Sequence, residues 1–245
     1  MSQFIQALAN GVMMGALLAV PAVGFTTIFA VLRYPSFSIA AYVTLGAFAG
    51  WLANTKAGLS ALPTLLVAFC VAALVGGLIE DRALRRLRPA GALTVAIASI
   101  GLNLVVENII RFFAGNDLRG FDLPLKPDLR FAGIRIGPQQ IENLAMAAAI
   151  MVAMFLFLRF TRFGRAMRAV ADNPDLARLK GIDPKTISLA ALMLGCGLAG
   201  AGGVLIGLDT SIDPLTGFRV LLSVFSAALL GGLRSVPGAV ARAPA

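Results

Sequence analysis

Long apolar runs separated by short polar breaks dominate this chain. The runs are Phe4–Leu32, Phe37–Ala53, Ala61–Ile79, Ala92–Phe113, Ile141–Leu158, Thr186–Leu208 and Phe218–Leu233. Most approach the roughly 20 residues that an α-helix needs to cross a bilayer. The strict two-residue alternation of a membrane β-barrel is absent. The pattern therefore predicts an all-α, polytopic helical membrane protein of about seven spans, folded as one transmembrane domain over 1–245. The first run is too long for one straight crossing at about 1.5 Å per residue. It is expected to kink at Pro21 or to begin in the interface. The break Arg33-Tyr34-Pro35-Ser36 follows it.

Charge sorts the connecting loops. Residues 81–91 carry four Arg and residues 159–185 carry seven Lys or Arg. Two spans separate these loops, so they share a side, and the positive-inside rule makes that side cytoplasmic. Residues 114–140 hold four basic side chains nearly balanced by three Asp, 54–60 has only Lys56, and 209–217 has two Asp and no base. Alternation then puts these three loops and the amino terminus outside. Glu107 and Arg111 are expected to pair one helical turn apart, and Glu80 and Asp81 are expected at a cytoplasmic boundary. The net charge of +9 reads as orientation and not as a nucleic-acid surface. No basic residue precedes the first apolar run, so no cleaved secretory signal is expected there.

One polar window interrupts this scheme. GRAMRAVADNPDLARLKGIDPKTI, residues 164–187, carries five basic and three acidic side chains. Asn173 is a favourable N-cap and Pro174 suits the first helical position, where its missing N–H would be unpaired in any case. Asp175 and Lys180 carry charges that complement the helix ends, and Gly181 stops the helix. Asp183 and Pro184 then start the next one. The prediction is a helix of about two turns on the cytoplasmic surface, with Leu176 and Leu179 on one face. So short a helix is unstable alone in water. Lipid headgroups, the rest of its own subunit, or a cytoplasmic partner must pack on it.

Small residues recur within the runs as G-x-x-x-G pairs: Gly11 and Gly15, Gly46 and Gly50, Gly203 and Gly207. Such faces let helix backbones approach closely in lipid, and packing within one subunit is favoured over a dimer seam. GCGLAGAGG (195–203) lacks the G-x-G-x-x-G spacing and a preceding strand, so it is not a dinucleotide site.

The chain's chemistry is sparse. With no His, no G-x-x-x-x-G-K-[ST] stretch and only two cysteines, Cys70 and Cys196, both inside apolar runs, it offers no P-loop, disulfide framework or transition-metal cluster. No cofactor, metal or catalytic residue is assigned, and an enzyme is a poor reading. Ser38, Tyr42, Thr44, Ser99 and Asn103 are candidates to line a passage, or else serve as interhelical hydrogen bonders. Ion-driven carriers usually place ionisable groups inside their spans, and the sequence shows none firmly there.

The polar window resembles the cytoplasmic coupling segment of permease subunits in branched-chain amino-acid ABC importers. VLRYPSFSIAAYVTLGAFAGW (31–51) and GFRVLLSVFSAALLGGLRSVPGAV (217–240) are similar to the same family, so the resemblance covers most of the chain. It implies an inner-membrane subunit, paired in a heterodimer with a second permease. Two cytoplasmic ATPases would drive it and a periplasmic binding protein would supply it. In that scheme residues 159–185 form the coupling loop. Asn173, Pro174, Asp175, Ala177 and Gly181 shape its helix, and Leu176 and Leu179 enter a groove on the ATPase. Two departures stand out. The family often carries an N-F-A-H-G-like run where this chain has Pro35 to Ala40, so amides, urea-like solutes or sugars stay open as substrates. Family members also continue past the stretch matching Ser235–Val240 with about one more span, which this chain is expected to lack. An ATP-independent secondary transporter or channel, and a non-transporting scaffold, are the readings from other classes.

Overall fold

The computed structural model describes residues 2–122, 129–131 and 134–231. Among the described residues each apolar run carries one helix: α1 (Ser2–Leu32), α2 (Ile39–Ala57), α3 (Ala61–Ala83), α4 (Ala92–Ala114), α5 (Pro138–Phe160), α8 (Pro184–Asp209) and α9 (Thr216–Gly231). The polar window supplies α6 (Arg162–Asp172) and α7 (Pro174–Leu179). Two three-residue strands, β1 (Leu129–Phe131) and β2 (Ile134–Ile136), pair antiparallel within the 114–140 loop. Among the described residues, five helices (α1, α3, α4, α5 and α8) combine the length and apolarity of a crossing. The helix α2 is nearly as long, at 19 residues, and α9 has 16.

The helix α8 is the hub. It packs on α1, α2 and α3, and its residues from Gly195 to Leu208 are all buried. Glycines make this possible. A Cβ at Gly46 would overlap the backbone of Gly200, one at Gly203 would overlap the Val43 carbonyl, and one at Gly24 would crowd the Gly195 carbonyl. Without side chains between them, the backbones approach as packing in lipid requires. Gly46, Gly50, Gly203 and Gly207 thus serve packing inside the subunit. Gly11 does not: nothing lies within 4 Å of its Cβ position, because the first four turns of α1 lie outside the tightly packed core. The GCGLAGAGG run lies within α8. α1 runs as one helix through Pro21, whose ring packs against Gly202 of α8.

Contacts sort the loops into two groups. At one end, Arg88 of the 81–91 loop lies over the Tyr34 ring, 5.7 Å from its centre. Val31 at the end of α1 shares a buried cluster with Met167, Val170 and Ala177. At the other end, Asn54 accepts from the Asp122 amide at 2.8 Å, and Arg119 pairs with Ile212 through both backbone groups at 2.8 Å. The break after α1 and the loops 81–91 and 159–185 therefore share a side, opposite the 54–60, 114–122 and 209–213 segments. This matches the alternation drawn from charge.

Candidate functional site

The polar window folds by its caps. Thr161 ends α5 and opens α6, its hydroxyl accepting from the Gly164 amide at 3.1 Å. Gly164 is required there, since any side chain would run into the Leu158 backbone. On α6, Gly164, Met167 and Val170 recur at three-residue spacing and are buried, the pattern of an amphipathic helix. The Asn173 side chain then accepts from the amides of Asp175 at 3.0 Å and Leu176 at 3.1 Å, and Pro174 occupies the first helical position. After α7, Gly181 turns the chain with φ +80°, a left-handed conformation that glycine adopts without strain. Asp183 caps α8 by accepting from Lys185 and Thr186. The Thr186 hydroxyl, followed by the Lys185 amide, holds this exposed carboxyl below its ordinary range.

The face of α7 that meets its own subunit is not the leucine face. Ala177 is 3% exposed and joins Val31, Met167, Val170 and Ala191 in one cluster. Leu176 is 58% exposed and Leu179 84%. The possibility that the subunit covers its own leucines is therefore excluded: a small residue seats the helix, and its two large apolar side chains point away. Asp175 pairs with Arg178 at 3.8 Å on the exposed surface.

The five candidate passage residues are all buried. Three make interhelical or local hydrogen bonds. Ser38 meets Ser36 at 2.7 Å, Thr44 accepts from the Gly217 amide of α9 at 3.0 Å, and Ser99 of α4 accepts from the Phe37 amide at 2.9 Å. The Tyr42 hydroxyl is buried without a hydrogen-bond partner among the described residues, and Asn103 lies on the inner side of α4 with Ser99 and Glu107.

Two features escaped the sequence. Glu80, expected at a boundary, is wholly buried. Its carboxylate accepts from the Ser36 hydroxyl and lies 3.7 Å from the Cys196 thiol of α8. A buried carboxylate persists only where hydrogen bonds replace its water. Arg219, inside the last apolar run, pairs with Asp213, which exchanges two further bonds with Thr216 at the start of α9. The expected Glu107–Arg111 pair forms at 3.2 Å. On the side opposite the polar window, Gln6, Asn10, Gln139, Gln140 and Asp209 line an open cleft of about 330 Å³.

These features define a polytopic helical membrane protein with a capped surface loop carrying exposed leucines. Residues 7–244 match the family described as "Branched-chain amino acid transport system / permease component". The chain belongs to that family, and is a multi-pass protein of the bacterial cytoplasmic membrane. It is 28% identical to the high-affinity branched-chain amino acid transport system permease protein BraD of Pseudomonas aeruginosa, over 97% of this chain and 82% of the relative. Identity and coverage are the same for the corresponding permease protein LivH of Escherichia coli K12. A weaker likeness, 23% over 72% of this chain and 53% of the relative, joins it to the galactose/methyl galactoside import permease protein MglC of Haemophilus influenzae. No solved structure matches.

Proposed function

We propose that this chain forms one half of the membrane path of an ATP-driven importer for branched-chain or related amino acids. A second permease completes the path as a heterodimer, a periplasmic protein delivers the substrate, and two cytoplasmic ATPases dock on the 159–185 loops. The observation that carries this reading is the orientation of α7. Its caps and Ala177 fix it on the bundle, while Leu176 and Leu179 stand exposed on the side that the Lys and Arg count makes cytoplasmic. Exposed leucines on a short helix need a cover, and an ATPase groove supplies it in an importer of this family. Asn173, Pro174, Asp175 and Gly181 set the pose of the helix. Ser38, Tyr42, Thr44, Ser99 and Asn103, buried within this subunit, form the polar side of the route in a state of the transport cycle in which α2 and α4 separate.

The likeness to a sugar import permease, together with Pro35–Ala40 in place of the family's usual run, favours a second reading in which the cargo is another small polar solute. Uptake of radiolabelled leucine into proteoliposomes containing both permeases and the ATPases separates the readings. The account expects uptake that requires ATP and the binding protein and that unlabelled isoleucine suppresses. Uptake without ATP would overturn it, and ATP-dependent uptake of radiolabelled galactose with none of leucine would establish the second reading.

A further inference from the structure

Arg33 is the only residue other than glycine with positive φ among those described, at +58°. A long, branched-headed side chain in the left-handed region is uncommon and costs backbone energy unless something holds it there. The holder is visible. One guanidinium nitrogen, Nη2, donates to the carbonyl of Ala171 at 2.6 Å and to that of Asp172 at 2.9 Å. Those are the last two residues of α6, immediately before the Asn173 cap of α7. A cation on the free carbonyls of a helix end satisfies acceptors with no partner in the helix and complements its dipole.

The other end of the same break is fastened to the bundle. Ser36 donates to Glu80 of α3, and Glu80 reaches Cys196 of α8. The Phe37 amide donates to Ser99 of α4, and the Phe37 ring packs 5.7 Å from the ring of Phe225 on α9. Residues 33–38 therefore touch the α6–α7 junction at one end and α3, α4 and α9 at the other, with Glu80 extending the contact to α8. The loop is also joined covalently to α5 at Thr161 and to α8 through the short turn 180–183, and it packs on Val31 of α1. Arg33 supplies a further, polar route, and it leads through the 33–38 break to α3 and α4.

We infer that Arg33 is a positioning residue for coupling, a strut that carries displacement of the α6–α7 junction into the 33–38 break. The inference rests on the ATPase-docking reading above. It predicts a defect in communication with assembly intact. Glycine accepts the same backbone conformation with no side chain, so Arg33→Gly removes the strut and keeps the turn. The assay is ATP hydrolysis by the complete complex in proteoliposomes, with its binding protein and leucine as the probe. The expected result for Arg33→Gly is normal co-purification and basal hydrolysis within about twofold, with stimulation by the loaded binding protein reduced about tenfold, an ordinary size for coupling between sites. Arg33→Lys, which keeps a cation able to reach the carbonyls, restores most of the stimulation. If Arg33→Gly fails to accumulate, Arg33→Asn is read in its place, because Asn tolerates the left-handed region and is too short to reach Ala171. Full stimulation, or a loss of assembly that matches the loss of stimulation, would overturn the strut. Leu179→Asp in the same assay reports on the underlying reading: retained ATPase sinks both claims, whereas lost ATPase beside full stimulation in Arg33→Gly sinks the strut alone.

Discussion

The α2–α8 seam and the α7 helix solve opposite problems. At the seam, Gly46, Gly200 and Gly203 remove side chains so that two backbones meet, and helix-to-helix packing leaves nothing for a partner to add. At α7, side-chain oxygens from Asn173 and Asp183 hold a six-residue helix and the start of its neighbour, while the largest apolar groups face outward. The seam is finished within one subunit. The loop is finished only in its backbone. The chain thus keeps its rigid interior and its outward loop chemically separate: small residues and close approach in one, caps and exposed leucines in the other.

Breaking the seam has the largest expected effect. Gly46→Val forces a branched side chain into the backbone of Gly200, which cannot move aside as a flexible side chain would. The expected loss is about 3 kcal/mol, at the upper end for overpacking, read as a drop in melting temperature of the detergent-solubilised protein. The same substitution at Gly11, which faces open space, should leave that temperature within a degree or two. Equal effects at the two positions would contradict the assignment of the seam.

Next in size is Glu80, the polar knot between the break and the bundle. Glu80→Ala removes the carboxylate acceptor of the buried Ser36–Ser38 hydroxyl pair, leaving the two hydroxyls only each other, and costs about 1–3 kcal/mol. Glu80→Gln, which keeps an acceptor, should cost less. If both variants melt with the wild type, Glu80 does not hold the break.

The smallest effect sharpens the loop. Asn173→Ala removes the acceptor for two amides and costs about 1 kcal/mol. Hydrogen exchange at the Asp175 and Leu176 amides should quicken about fivefold, with no change at the seam. Unchanged exchange there would mean that the cap does not support the helix.

What was legible in the sequence followed local rules. Apolar runs became helices because their length and composition allow nothing else in lipid. The α7 caps were legible because Asn-Pro, Gly and Asp-Pro act on neighbouring residues. What was not legible depends on distant partners. Glu80 lies at the end of an apolar run and reads as a boundary charge until Ser36, 44 positions away, is seen to donate to it. Arg33 looked like part of a polar break because its acceptors lie 138 and 139 positions away. Leucine spacing on α7 gave the right face but not its direction, since Ala177 is small enough to seat the helix against Met167 and Val170. Gly11 and Gly46 carry the same spacing motif, and only tertiary packing tells which of them meets a backbone.

The central claim is that the outward leucines of α7 receive an ATPase. Co-purification of the ATPase with membrane-inserted Leu179→Asp tests it most directly, because a carboxylate at an 84% exposed position costs the isolated subunit nothing in packing. The account predicts wild-type amounts and melting temperature of the permease with the ATPase lost from the complex. An ATPase that stays bound at wild-type yield would contradict it.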